Sequence, residues 1–322
     1  MKRVAFIFPG QGAQYPGMGR EVAEAYQASR QVLDRASLGL GRDVRRIAWD
    51  STADQLADTA NAQPAILAVS LATLAPLVEA GVRPAAMAGL SLGEYTALVG
   101  AGSLDLGDAM RLVSVRARLM QEAVPKGQGA MAAVIGLPRA EVVRACSDSS
   151  GYGIVEPANF NAPDQIVISG HTEAVRAAAD AAKRAGARKV IPLAVTAPFH
   201  CSLLRTVEVQ FAQALAGAVV GRPMVPVIAN ASARPSQEPD EIRRSLLVQI
   251  SSPVLWEDSV RYMFDEMGIS IFIEVGPGRV LTRFVNRIEP QATTINVEGP
   301  ETIQACIDEL SRLGAIAAAA GA

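Results

Sequence analysis

Histidine occurs only twice and cysteine only three times in the 322 residues. Cys146, Cys201 and Cys306 have neither the spacing of a metal site nor that of a disulfide framework. No metal is therefore expected, and a reducing compartment is the simpler reading. Neither sign of charge is in excess: 30 Lys and Arg stand against 32 Asp and Glu, a formal net of −2. That leaves no basic footprint for nucleic acid or for an anionic membrane. No uninterrupted run of about 18 apolar residues occurs, so no transmembrane segment is expected. At the N-terminus the apolar run of MKRVAFIFPG is only VAFIF before it breaks at Pro9-Gly10. This is too short for a secretory core and reads as a buried first strand of a soluble, cytoplasmic protein. Nucleotide motifs are missing as well. In FPGQGAQYPGMG (8–19), Tyr15 stands where G-x-G-x-x-G needs its third glycine, and no GK[ST] follows.

What is present is apolar and patterned. Half of the residues are hydrophobic, enough for one large domain with an insertion or for two modest ones. Apolar runs at 4–8, 84–91, 225–230 and 270–276 read as strands buried on both faces. Helical patterns fall at 19–37, 64–80, 93–100, 105–123, 202–217, 253–267 and 278–288. Alternation of this kind predicts an α/β domain with a largely parallel sheet. The tail AIAAAAGA (315–322) reads as a frayed end. Residues 127–197 follow another order. GAMAAVIGL is a strand and PRAEVVRACSDS a helix. GIVEPANFNAPDQIVISG is two strands joined by a loop, HTEAVRAAADAAKRAGA a helix and RKVIPLAV a strand. That β-α-β-β-α-β order predicts a ferredoxin-like unit. It is inserted at 127–197 into a larger domain made of 1–126 and 198–322.

Gly89-Leu90-Ser91-Leu92-Gly93 is G-x-S-x-G with an apolar run before it and a helical pattern after it. This is the context of a nucleophile elbow, where a sharp strand-to-helix turn pushes a serine above the sheet. Helix-end N–H groups can stabilise negative charge there. A serine nucleophile needs a base. His171 opens an alanine-rich helix of the inserted unit and reads as structural. His200, in VTAPFHCSLL, lies in a loop after a strand, where α/β sheets present working groups. Elbow hydrolases place an acid between the serine and the histidine. Here Asp148, Glu156 and Asp164 all fall in the inserted unit and none stands out, so a Ser–His dyad with a neutral acceptor is expected. Cys201 beside His200 is not read as the nucleophile.

The helix at 105–123 carries Arg111, Arg116 and Arg118. At about 100° per residue, Arg111 and Arg118 share a polar side, but Arg116 falls inside the apolar arc. A guanidinium aimed at a core needs an anion. Two anions fit equally well: Glu94 just after the elbow, or a carboxylate on a substrate. The glycine-rich stretch after the first strand allows backbone N–H groups close to a ligand. Gln11 there and Leu92 after the serine are placed to give the two oxyanion amides.

Taken together, FPGQGAQ, GLSLGEY, VRARLMQEA, GAMAAVIGL, NFNAPDQIVISG, APFH and EVGPG occur in an order that resembles malonyl-CoA:acyl carrier protein transacylases, over about 1–285. The resemblance implies an α/β-hydrolase-like core with the inserted ferredoxin-like subdomain. It implies malonyl transfer from coenzyme A to the phosphopantetheine thiol of acyl carrier protein, in fatty-acid or polyketide synthesis. No cofactor of its own is implied: the coenzyme A thioester is a substrate and the partner carries the phosphopantetheine. A monomer is expected. Carried over by motif, Ser91 is the nucleophile and His200 the base. The amides of Gln11 and Leu92 form the oxyanion hole, and Arg116 pairs with the malonyl carboxylate. Gln249 helps orient the histidine, and Asn159 and Asn161 belong to a loop that lines the entry cleft. Phe199 resembles the malonyl-selective pattern, since its ring leaves little room for an α-methyl group. The family often has histidine just before the nucleophile; here Leu90 removes that polar side chain. A serine hydrolase with the same dyad is the alternative, and a non-catalytic docking subunit a third reading.

Overall fold

The computed structural model describes residues 2–195 and 197–315. Six strands form the larger sheet: β1 Arg3–Phe8, β2 Ala86–Gly89, β7 Val227–Ala229, β8 Arg234–Ser236, β9 Ile269–Val275 and β10 Thr293–Val297. Their order is β10-β9-β1-β2-β7-β8, parallel throughout except for the antiparallel β7–β8 pair at one edge. Strand period decides which face each residue buries. Val4, Phe6 and Phe8 join the core on one face, while Ala5 and Ile7 join the core on the other. Double burial is why the central strands are unbroken apolar runs.

The smaller sheet is built from β3 Gly129–Ile135, β4 Val155–Ala162, β5 Gln165–His171 and β6 Lys189–Pro192. All its pairings are antiparallel, in the order β4-β5-β3-β6. With helices at Arg139–Asp148 and Thr172–Arg184, this is the ferredoxin-like unit. Ala132, Val134, Ile166 and Ile168 pack on those helices in a core of their own. Met131, Ala133 and Val167 point the other way and join the larger core. One face of the small sheet therefore stands against the main domain.

Several sequence expectations need correction. The helix read at 19–37 is two, Arg20–Ala25 and Gln27–Leu40, broken at an extended Tyr26. Arg30 stabilises the break by donating to the carbonyls of Ala23 and Glu24. The helix read from 253 starts at Trp256, because Val254 is taken as a bridge to β4 through Ala158 and Phe160. It then widens into a π turn at Tyr262–Glu266. The helix read from 202 begins as a 3₁₀ turn and is α-helical over Arg205–Ala216. Helix Thr59–Glu79 is, by length and composition, apolar enough to cross a membrane, which the run-length argument had not found. It is a core helix: 83% of its most apolar window is buried. The expectation of a frayed end at 315–322 falls, beyond Ala315, outside the described residues.

Candidate active site

The elbow is formed at the C-terminal end of β2. Ser91 has φ 54° and ψ −102°, a conformation that costs a non-glycine residue about 1–3 kcal/mol. Its flanking glycines are required by close approach. A Cβ on Gly89 would lie 2.0 Å from the Gly93 carbonyl carbon, and one on Gly93 would lie 2.2 Å from the Phe8 carbonyl oxygen of β1. The turn thus wedges between its own helix, Leu92–Gly100, and the neighbouring strand.

Ser91 and His200 are brought together across 109 residues of sequence. Ser91 Oγ lies 2.7 Å from His200 Nε2. His200 Nδ1 lies 2.9 Å from the carbonyl oxygen of Gln249. A carbonyl only accepts, so the ring carries its hydrogen on Nδ1 and Nε2 accepts from the serine. The neutral acceptor expected for the dyad is thus a backbone group. His200 is itself at φ 59°. Burial, followed by the nearby Arg116 charge, holds its pKa down to about 3. The imidazole therefore rests neutral, ready to accept. In a ¹⁵N NMR titration from about pH 8 to about pH 5, the His200 ring nitrogens keep the shifts of the neutral Nδ1–H tautomer. A transition centred on the ordinary histidine value of about 6.5 would contradict this environment.

Arg116 is fully buried. Of the two anions open to it from sequence, Glu94 is not in contact: no ion pair to Arg116 occurs among the described residues. The guanidinium donates instead to Gln63 Oε1, Gln249 Oε1 and Ser91 Oγ, each at 2.9 Å. It also lies 5.5 Å from the Tyr95 ring centroid. Burial lowers its pKa, while Tyr95 and Glu94 oppose that shift. Glu94 is reached one step away, through Gln249 Nε2 at 2.8 Å. Burial raises the Glu94 pKa to about 7, against its hydrogen bonds from Asn230 and Gln249.

Gln249 is therefore a junction. Its carbonyl meets His200, its Oε1 meets Arg116, and its Nε2 donates to the Ser91 carbonyl at 2.9 Å. Asn230, at the end of β7, grips both sides of the elbow. Its Oδ1 accepts from the Ser91 amide at 2.6 Å and its Nδ2 donates to the Gly89 carbonyl at 2.7 Å. Its own amide donates to Glu94 Oε2 at 2.9 Å. Glu156, which had no evident role in the sequence, accepts from the amide and hydroxyl of Ser202 at 2.7 and 2.8 Å. It ties β4 to the loop that carries His200.

Ser91, His200, Arg116, Gln11, Asn159, Asn161 and Phe199 all line one cavity of about 300 Å³ between the two sheets. Leu90, Met120, Met131 and Leu193 supply much of the apolar wall. Leu92 and Gln249 stand behind Ser91, outside the lining. The amides of Gln11 and Leu92 make no hydrogen bond among the described residues. The Gln11 side chain is occupied elsewhere, donating to Thr59 Oγ1 at 3.1 Å. His171 Nδ1 accepts from the Ile154 amide at 3.0 Å, consistent with a structural role. Cys201 is buried, with its thiol bound to the Pro198 carbonyl, and burial raises its pKa to about 11. Gln63 and Asn230 were missed in the sequence. Gln63 comes just before a long apolar run and Asn230 just after a short one, with partners 53 and 139 residues away.

The arrangement can generate a serine nucleophile beside a buried cation. Residues 5–299 match the acyl transferase domain family. The malonyl CoA-acyl carrier protein transacylase of Escherichia coli (strain K12) is 42% identical over 309 residues, covering 96% of this chain and 100% of that protein. An acyl carrier protein S-malonyltransferase from Vibrio cholerae superposes with a TM-score of 0.92 at 39% identity, covering 94% of this chain and 99% of that one. A malonyl-transacylase solved in complex with its type II PKS acyl-carrier protein superposes with a TM-score of 0.93 at 40% identity, covering 95% and 99%. On its near full-length identity and its shared fold, the chain belongs to the malonyl-CoA–acyl carrier protein transacylase family.

Proposed function

We propose that this chain transfers malonyl from malonyl-CoA to the phosphopantetheine thiol of acyl carrier protein through an acyl-enzyme on Ser91, supplying fatty-acid or polyketide synthesis. The observation that carries the reading is a serine shared between a neutral histidine and a buried arginine with no protein carboxylate against it. Ser91 Oγ attacks the thioester carbonyl as its proton passes to His200 Nε2. The oxyanion is received by the amides of Gln11 and Leu92. Collapse breaks the C–S bond, and the imidazolium returns the proton to the departing coenzyme A thiolate. The carrier-protein thiol then gives its proton to His200 and attacks the ester, and Ser91 leaves with that proton. Arg116 takes the malonyl carboxylate as a charge-assisted pair. Phe199 limits the α-carbon, and Asn159 and Asn161, buried on strand β4 and not in a loop as expected, line the cavity.

The catalytic domain in this reading is 1–126 with 198–322, and 127–197 is the inserted subdomain that closes the cavity from above. The chain acts as a cytoplasmic monomer without a metal or organic cofactor of its own.

A serine hydrolase shares the dyad but has no use for a buried arginine that meets no carboxylate directly. Adding phosphopantetheinylated acyl carrier protein to malonyl-CoA and enzyme separates the two. Transfer produces malonyl-carrier protein, with slow release of free malonate when the carrier is left out. Rapid malonate release that is indifferent to the carrier would establish a thioesterase instead.

A further inference from the structure

Arg116 makes three hydrogen bonds, all to neutral oxygens, and one of these belongs to the nucleophile itself. Its Nε has no partner among the described residues. The hydroxyl of Ser91 has one hydrogen and two lone pairs. The hydrogen points to His200, and one lone pair is taken by Arg116 Nη2. A hydrogen bond from a cation draws electron density from the oxygen that must attack. We propose that Arg116 restrains Ser91 in the free enzyme, and that the carboxylate of the incoming acyl group releases it, with Gln63 keeping the guanidinium charge open for that carboxylate. The inference rests on the reading of Ser91 as the nucleophile and of malonyl as the acyl group.

The chemistry favours the exchange. A carboxylate is a stronger acceptor than a hydroxyl and offers two oxygens to the guanidinium fork. Of the three acceptors on Arg116, Ser91 is the one the acyl group must approach. The carboxylate also cancels the charge which, after burial, is the next cause depressing the basicity of His200. An acetyl group does neither. Selection is then exercised on the reactivity of the serine as well as on binding. Gln63 is the specificity residue this assigns. Its Oε1 holds Nη1 at 2.9 Å without neutralising it, and its Nε2 is spent on Gln11 Oε1 at 3.4 Å. A glutamate in its place would supply internally the charge that the substrate brings.

The test uses the whole chain and an uncharged probe, phenylmethylsulfonyl fluoride. Ser91 Oγ bonds to sulfur, fluoride leaves, and the serine proton departs through His200. Labelling rates are read by intact mass and the site by peptide mapping, alongside kcat/KM for malonyl-CoA. Gln63→Glu should label Ser91 faster than wild type by on the order of tenfold, the scale of one charge-assisted hydrogen bond. Its kcat/KM for malonyl-CoA should fall. A merely structural glutamine would lower both. Arg116→Met, which keeps the bulk and loses every N–H, should also label faster. Formate should accelerate labelling of wild type and leave Arg116→Met unchanged. If Ser91 is labelled but both variants react no faster than wild type, the restraint is wrong and the nucleophile stands. If no protein is labelled at Ser91, the nucleophile reading fails and the restraint with it.

Discussion

Replacing His200 by alanine lowers the rate of both half-reactions by about 10²–10⁴-fold, the usual contribution of a positioned general base, and leaves coenzyme A binding nearly intact. The loss is large because nothing else can take the proton. His200 Nε2 is 2.7 Å from Ser91 Oγ. The other charged groups of the network, Arg116 and Glu94, are a donor and a carboxylate already holding two N–H groups. The loss should fall on kcat, since a buried imidazole behind the serine makes no demand on the nucleotide end of the substrate. Single-turnover acylation with malonyl-CoA, followed by discharge to the carrier thiol, reads the two steps apart. His171→Ala is the control. Its ring is bound to the Ile154 amide at the start of a helix, and its loss should leave turnover near wild type. If His171→Ala were the damaging change and His200→Ala mild, the base would be misassigned.

Arg116→Ala lowers kcat/KM for malonyl-CoA by on the order of 10²–10³-fold or more, while acetyl-CoA turnover stays similar or rises. The estimate takes about 3–5 kcal/mol for breaking a buried charged pair and 1.4 kcal/mol per tenfold. The same residue selects and rejects. A malonyl carboxylate matches the planar fork, whereas an acetyl group leaves the guanidinium without an anion. Arg116→Lys should restore only part of the preference, because it keeps the charge and loses the fork. The measurement is kcat/KM for both thioesters on the three proteins. Equal losses for malonyl and acetyl would make Arg116 structural, a keystone between Gln63 and Gln249.

How far the sequence carried depended on whether the determinant was local. The elbow was legible because its glycines are enforced by contacts at the turn, and the central strands because both faces are buried. Arg116 was legible by helical phase alone, since a lone cation in an apolar arc violates the pattern. Its partners were not. Gln63 looked like any solvated amide, Gln249 was named only through the family resemblance and as an aid to the histidine, and the glutamate nearest in sequence to the elbow turned out to be one step removed. Strand β10 escaped because it is a half-exposed edge strand with a Thr-Thr start and an asparagine inside it. Strand β8 escaped because Arg234–Ser236 contains a proline and pairs only at the sheet edge. Helix Pro239–Val248 opens with Pro-Asp-Glu and buries only Ile242 and Leu246, too few positions for a clear period. Asn230 looked like the end of a strand, and its grip on the elbow depends on the parallel pairing of β2 with β7.

The central claim is that Ser91 carries the acyl group. Intact mass after brief incubation with malonyl-CoA, with the carrier withheld, tests it most directly. The account predicts one malonyl adduct, mapped to the peptide containing Ser91, lost on addition of phosphopantetheinylated carrier protein and absent from a folded Ser91→Ala protein. A malonyl adduct of the same size on Ser91→Ala, or malonyl-carrier protein formed at the wild-type rate by that variant, would contradict it.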